Sequence, residues 1–394
     1  MGSANLRRAL GAPLTYASLE PQGQSSEELR TLILGAAAAF REAAEVSDKE
    51  VLREQHRVAK YAASGMNAPQ LLRALKRYRR YFPLGERIRP ELIEPVLVPV
   101  TPRSAEEALF KLCRASWSMP YSKGYGRRLR FVVMDAFHDA VIGIVGLQSA
   151  PADLACRDDL VGPTTDKLAW VNATLDAYTI GAVSPYSDLL GGKLVAGMVG
   201  TEEVRQAYWR KYAGRRSQME GRRYRQPLLA VTTTSAFGRS SIYNRLRHEN
   251  RLLAEPIGYT KGYGTVHLEA VYPAIVEWLK SQGTLVPAGF GNGPKVRWQN
   301  VQNAITQLKL PHNLLSHGLQ REVFLFRHVE NWAEVCRGVA EPVPLPLKAG
   351  DWASYWKHRW ALPRATSTQK WRWVSATQTI AQSLLDIQAH RPIS

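Results

Sequence analysis

The sequence predicts an α/β protein: a central mixed sheet with flanking helices, an all-helical N-terminal part and an extended, basic, Trp-rich C-terminal segment. Three observations carry that expectation. From about residue 168 onward, β-rich runs alternate with helical blocks, the order from which layered α/β domains are built. Residues 25–82 show helical periodicity alone. The stretch EPVPLPLKAG (341–350) is a proline-rich linker that sets off the tail. The expected organisation is a helical domain over 1–95, an α/β core over 96–338, and linker plus tail over 339–394.

The first helix is expected over SSEELRTLILGAAAAFREAA (25–44), where Ser25 and Glu28 stand at capping-box spacing. DKEVLREQHRVAKYAA (48–63) and PQLLRALKRYRRYF (69–82) repeat the helical pattern. The last ends in KRYRRY (76–81), cations interleaved with tyrosines that either lie on a phosphate backbone or form a solvated face. ELIEPVLVPVTP (91–102) reads as linker and short strand, and SAEEALFKLCRASW (104–117) as a helix capped by Ser104 with acid in its first turn. FVVMDAFHDAVIGIVGLQS (131–149) divides into two β-rich halves around AFHDA (136–140), a hairpin with His138 and Asp139 in its turn. A strand over 175–183, a turn at Ser184-Pro185-Tyr186 and a helix over 186–199 follow. Next come a further helix and a basic loop within 202–226, a strand over 228–236 and a helix over 240–247. IGYTKGYGTVHL (257–268) is either a ligand-facing segment or a plain hairpin loop.

The chain has 394 residues, 52 of them Lys or Arg against 34 Asp or Glu, for a net charge of +18. That imbalance favours a polyanionic partner, nucleic acid foremost and a membrane surface as the competitor. No apolar run reaches about 18 residues and the N-terminus lacks an apolar signal core, so a cytoplasmic location without membrane insertion is expected. Three separated cysteines make no disulfide framework, and nine scattered histidines show no paired ligand spacing, so no metal site is expected. A D/E-x-K cluster, an H-N-H pattern and a P-loop are all absent, which argues against a nuclease or a motor.

Four groups of residues are candidates for function. Gly191, Gly192 and Lys193 stand where a strand hands over to a helix, and a glycine pair at a helix start can cradle a phosphate or simply allow close packing. Asp176 and Tyr178 point to one face of their strand, where Asp176 either acts as a base or is satisfied by backbone donors. Arg210, Lys211, Arg215, Arg216, Arg222, Arg223 and Arg225 crowd one segment whose acid is Glu220, a density suited to a nucleic-acid backbone. The tail WASYWKHRWALPRATSTQKWRWV (352–374) interleaves five tryptophans with five cations, among them Lys357, Arg359 and Arg372. Its aromatics either stack bases or bury themselves on the core.

The order of strand 175–183, turn and helix 186–199, strand 228–236 and helix 240–247 resembles acetyltransferases of the GNAT type. That resemblance implies acyl-CoA as cofactor and Tyr243 as the general acid that protonates a leaving thiolate. The turn YSDLLGGKL lacks the leading Arg or Gln of that family.

The blocks IGIVGLQS (142–149), RDDLVG (157–162), LDAYTIGAVSPYSDLLGGKLVA (175–196), PHNLLSHGLQREVFL (311–325) and SYWKHRWALPR (354–364) resemble the Druantia DruA family of bacterial anti-phage systems. The resemblance implies a part in defence beside a helicase-like partner and other gene products. The same blocks are also similar to a GNAT-like phage protein that modifies adenine in DNA, which implies a site lined by Arg157, Asp176, Tyr186, Lys193, Ser241 and Tyr243. Three readings follow: a DNA-binding component of a defence complex, on single or double strands; a transferase acting on a nucleobase amine in DNA; or a transposition-associated protein that binds element ends.

Overall fold

In the computed structural model, which describes residues 25–46, 49–62, 66–119, 124–217, 221, 223–238, 240–287 and 294–389, the sheet starts at Pro95–Pro99 (β1). Its prolines suit an edge strand, since a proline cannot donate to a neighbour. β1 pairs antiparallel with Leu129–Asp135 (β2), which returns through residues 136–139 as Ala140–Ser149 (β3). Asp139 takes the left-handed position of that turn at φ 48°. Thr174–Ala182 (β4) runs antiparallel to β3 and parallel to Ala230–Thr234 (β5). After a small ribbon, Arg247–His248 (β6) and Arg251–Leu252 (β7), the chain adds Glu255–Tyr259 (β8) and Glu322–Arg327 (β9). The sheet order is β1-β2-β3-β4-β5-β9-β8. Among the described residues β4 and β5 are its one parallel pair, in register only at Thr174↔Ala230, Leu175↔Val231 and Asp176↔Thr232.

Fourteen α-helices accompany the sheet among the described residues. The first seven are Ser26–Val46 (α1), Lys49–Ala62 (α2), Ala68–Tyr78 (α3), Ala105–Ala115 (α4), Ala155–Val161 (α5), Lys167–Asn172 (α6) and Gly191–Met198 (α7). Then come Glu202–Tyr212 (α8), Tyr272–Ser281 (α9), Pro294–Gln307 (α10), Trp332–Arg337 (α11), Ala349–Trp356 (α12), Leu362–Ser367 (α13) and Ala376–Ala389 (α14). The caps read from sequence are present: the Ser25 hydroxyl accepts from the Glu28 amide, and the Ser104 hydroxyl from the Glu107 amide.

Because side chains alternate along a strand, the sheet feeds two layers. Phe131, Val133, Leu175, Val231, Phe324 and Phe326 pack on α7, α8 and α12. On the other face, Val132 and Ile144 meet α3, α4 and α14, while Ala230 and Leu325 meet α5, α6 and α11. The helices before residue 95 go to different places: Leu29, Ile33 and Ala37 of α1 join α9 and α10, whereas α3 packs with α4 and α14. No helix among the described residues is long and apolar enough to cross a membrane.

Two expectations are corrected. The helix expected over 240–247 does not form; residues 241–245 make a turn that closes with Arg245 in the left-handed region at φ 58°. Nor is the tail extended. It is helical over most of 349–389, with a π-helical turn at Lys357–Ala361, and Trp352, Trp356 and Trp371 are fully buried. Gly197 makes this docking possible, because any Cβ there would run into the Trp352 indole. That indole instead donates to the Leu194 carbonyl at 2.7 Å, and the Trp356 indole to Leu190 at 3.1 Å.

Candidate functional site

Asp176 occupies the last position at which β4 pairs with β5, where the two strands part. Its Oδ1 accepts from the Thr232 hydroxyl at 2.9 Å, and its Oδ2 from the Gln148 amide at 3.2 Å. Both partners arrive by register, since Gln148 on β3 and Thr232 on β5 lie directly opposite it. Burial pushes the Asp176 carboxyl above its ordinary range, against the pull of the two hydrogen bonds and of the Arg157 and Arg321 charges. Tyr125 feels that carboxylate in turn: burial first, and then the Asp176 charge, push its phenol up to about 12. A partly exposed carboxyl with a raised pKa and fixed orientation is suited to taking and returning a proton.

The surroundings of Asp176 are ionic. Arg321 is half-buried and feels the charges of Glu269 and Asp176, and Glu269 accepts from Arg297 at 2.9 Å. Arg157, fully buried, spends its guanidinium on Asp158 and on the Pro151 and Ala152 carbonyls while lying 4.9 Å over the Trp170 ring. It braces the segment before α5 and reaches Asp176 only through its field.

A short chain segment joins this site to the basic one. Tyr125 hydrogen-bonds through its carbonyl to the Ser149 amide at 3.2 Å, at the end of β3. Two residues on, Arg127 is buried, with its guanidinium donating to the Tyr208 hydroxyl at 3.0 Å and to the Val171 and Thr174 carbonyls, and stacked 5.1 Å from the Tyr224 ring. Tyr224 belongs to a hairpin-like loop closed by Gly214 to Tyr224 and Tyr224 to Arg215 backbone bonds and by an Arg216↔Arg223 bridge. Arg210, Lys211, Arg215, Arg216, Arg223 and Arg225 are all exposed, and among the described residues no acidic side chain forms an ion pair with any of them. Arg222 lies outside the described residues. Lys211 donates to the Arg128 carbonyl at 2.7 Å, and burial together with the Arg130, Arg128 and Arg215 charges lowers its pKa. Like charges held this close repel one another unless an anion lies across them.

The other candidates sit elsewhere. Tyr243 is buried in the opposite layer, its ring 5.1 Å from Phe324 and 6.2 Å from Phe326. Its phenol, pushed up to about 12 by burial, bonds to the Thr233 side chain, not to Asp176. At Gly191 a Cβ would stand 2.6 Å from the Tyr186 carbonyl, so that glycine serves a close backbone approach. A Cβ on Gly192 would make ordinary contact with Ile242. Lys193 directs its ammonium at the carbonyls of Ser241, Ile242 and Asn244, 3.2–3.4 Å away, and lies against the Trp360 ring. These contacts do not fit a phosphate cradle, because the lysine is committed to the chain's own carbonyls. Tyr186 donates to Asp135 at 2.8 Å within the core. In the tail, Lys357 donates to the Glu91 carbonyl, while Arg359 and Arg372 are exposed beside Trp360 and Trp371.

Gln148, Thr232, Arg321 and Arg127 join the site without having been singled out in the sequence. The class these features define is a mixed α/β protein in which a half-buried carboxyl stands at a strand seam and an exposed arginine-rich loop forms a second site. The family described as Druantia protein DruA matches residues 47–338, and the chain belongs to it. It is 32% identical over 330 residues to a Druantia protein DruA from Escherichia coli (strain UMEA 4076-1), covering 82% of each chain. No solved structure matches the chain.

Proposed function

We propose that the protein holds DNA as a component of a Druantia-type anti-phage defence system and works beside other defence proteins, a helicase among them. The observation that carries the DNA-binding part is the arginine loop: Lys211, Arg215, Arg216, Arg223 and Arg225 stand exposed, Lys211 feels the charges of Arg130, Arg128 and Arg215, and none of the five has an acidic partner among the described residues. A polyphosphate backbone relieves that repulsion without demanding a particular base sequence. The test is a salt series of DNA affinity for the wild type and for Arg215→Glu, Arg216→Glu and Arg223→Glu combined. The proposal expects weaker binding and a flatter dependence on salt in the variant, and an unchanged slope would overturn it.

A second reading, group transfer to a nucleobase amine in DNA, is favoured by Asp176. A carboxyl with a raised pKa can receive the proton that an amine loses on substitution. The parallel β4–β5 pair, parting after Asp176 within an otherwise antiparallel sheet, supports a GNAT-like arrangement for such chemistry. Its test is a mass shift in nucleosides from DNA of cells carrying the system. The binding reading and this one are compatible, since a modifying enzyme must also hold its substrate. Recognition of transposon ends would instead require a strong preference for one sequence over random DNA.

A further inference from the structure

A second basic surface lies where three separate stretches of chain meet. Residues 370–375 run against residues 82–85: the Gly85 amide donates to the Val374 carbonyl at 3.1 Å, and the Ser375 hydroxyl to the Phe82 carbonyl at 2.8 Å. The β2–β3 turn joins them, with the Arg89 amide donating to His138 Nε2 at 3.0 Å and Arg80 within 3.8 Å of Asp139. The exposed cations of this surface are Arg79, Arg80, Arg87, Arg89, Lys370 and Arg372, and the exposed acids beside them are Glu86, Glu91 and Asp139.

Aromatic rings stand among these cations. Trp373 is 71% exposed and Phe137 48% exposed, the latter with the Arg89 guanidinium 5.1 Å from its ring. Arg80 lies 4.7 Å over Tyr81. The neighbouring Trp371 and Trp352 are fully buried, so the tail had the means to bury an indole and left Trp373 out. A large apolar ring in water beside guanidinium groups is suited to a partner that offers flat π-faces and phosphate charges together. A duplex hides its base faces by stacking. Single strands display them.

We propose that the surface formed by Arg79, Arg87, Arg89, Phe137, Arg372 and Trp373 is a contact for single-stranded nucleic acid, with bases stacked on Trp373 and Phe137 and phosphates on the arginines. It extends the DNA-binding reading to a second surface, chemically unlike the arginine loop because it offers exposed rings. In a complex that opens DNA, such a surface would take up the separated strand while the loop keeps the duplex.

The test is fluorescence anisotropy of the whole protein with a labelled oligothymidylate and with a labelled duplex of equal length. Trp373→Ala should weaken oligothymidylate binding about tenfold, the effect of losing one stacked base, and leave duplex affinity within about twofold. Arg372→Glu should weaken oligothymidylate binding as well and lower its salt slope by about one. The triple loop variant should lose duplex affinity while Trp373 still matters for the single strand, which separates failure of this inference from failure of the loop reading. Wild-type binding of oligothymidylate that is undetectable, or insensitive to Trp373→Ala and Arg372→Glu, would overturn the proposal and assign the patch to a protein partner. An equal loss on both DNAs with Trp373→Ala would also overturn the single-strand assignment.

Discussion

Asp176 and Tyr243 stand on opposite faces of the sheet, the first bonded to Thr232 and the second to Thr233, neighbours on β5 whose side chains point apart. The two are close enough for the Asp176 charge to raise the Tyr243 phenol further, yet the sheet lies between them. A proton-transfer role therefore belongs with one of them at a time, and the partly exposed one is Asp176.

This gives a paired prediction. Asp176 has a raised carboxyl pKa in the fold, so its charge costs stability as pH rises from the unfolded-state value through the folded one. Asp176→Asn should then fold at least as stably at pH 7, measured by thermal midpoint, while any DNA modification seen by nucleoside mass spectrometry disappears. Tyr243→Phe should lose about 1 kcal/mol with its bond to Thr233 and keep the modification. The reverse pattern would move the chemistry to Tyr243.

Arg127 links the seam to the arginine loop, and its planar fork serves three acceptors at once. A lysine cannot meet the Tyr208 hydroxyl and the Val171 and Thr174 carbonyls together or stack flat on Tyr224. Arg127→Lys is expected to lower unfolding free energy by about 2 kcal/mol, read from urea midpoints, and to loosen the loop enough to weaken DNA binding.

Much of this was legible in the sequence, for identifiable reasons. The β2–β3 hairpin announced itself because two apolar β-rich runs flank a short polar turn. Asp176 and Tyr178 could be placed on one face by alternation alone. The partners of Asp176 could not, because Gln148 and Thr232 lie 28 and 56 residues away and meet it only through strand register. The turn at 241–245 was misread as helix because its carbonyls find a distant side chain, Lys193, in place of helical amides. The tryptophan tail read equally well as a binding strip or as core. The glycine at 197, which admits Trp352, decides for core at that indole, while Trp373 stays in water.

The docking of the tail makes its own prediction. Gly197→Ala places a methyl group where the Trp352 ring lies, and overpacking of that kind costs about 1–3 kcal/mol. Thermal unfolding should show the loss, and Gly197→Ala combined with Trp352→Leu should recover part of it by making room. A neutral Gly197→Ala would mean that α12 does not lie on α7.

Acid should unfold the protein through its buried histidines. Burial lowers His56, His267 and His317 to about 4 and His328 to about 3, with Arg321 acting further on His56 and His317, Arg41 on His267 and Arg205 on His328. Their unfolded-state values lie near 6.5, so between about pH 6.5 and pH 4 the unfolded chain binds more protons than the folded one. Stability must therefore fall as pH drops through that window and change little on this account above it. His267 is the clearest probe, since its ring packs 5.9 Å from Phe40 and 5.5 Å from His317, where a phenyl ring is also flat and has no proton to take up. Urea titrations from pH 7 to pH 4 should show the midpoint falling in the wild type and falling less in His267→Phe. Equal slopes would mean that His267 binds its proton as readily in the fold as in the unfolded chain.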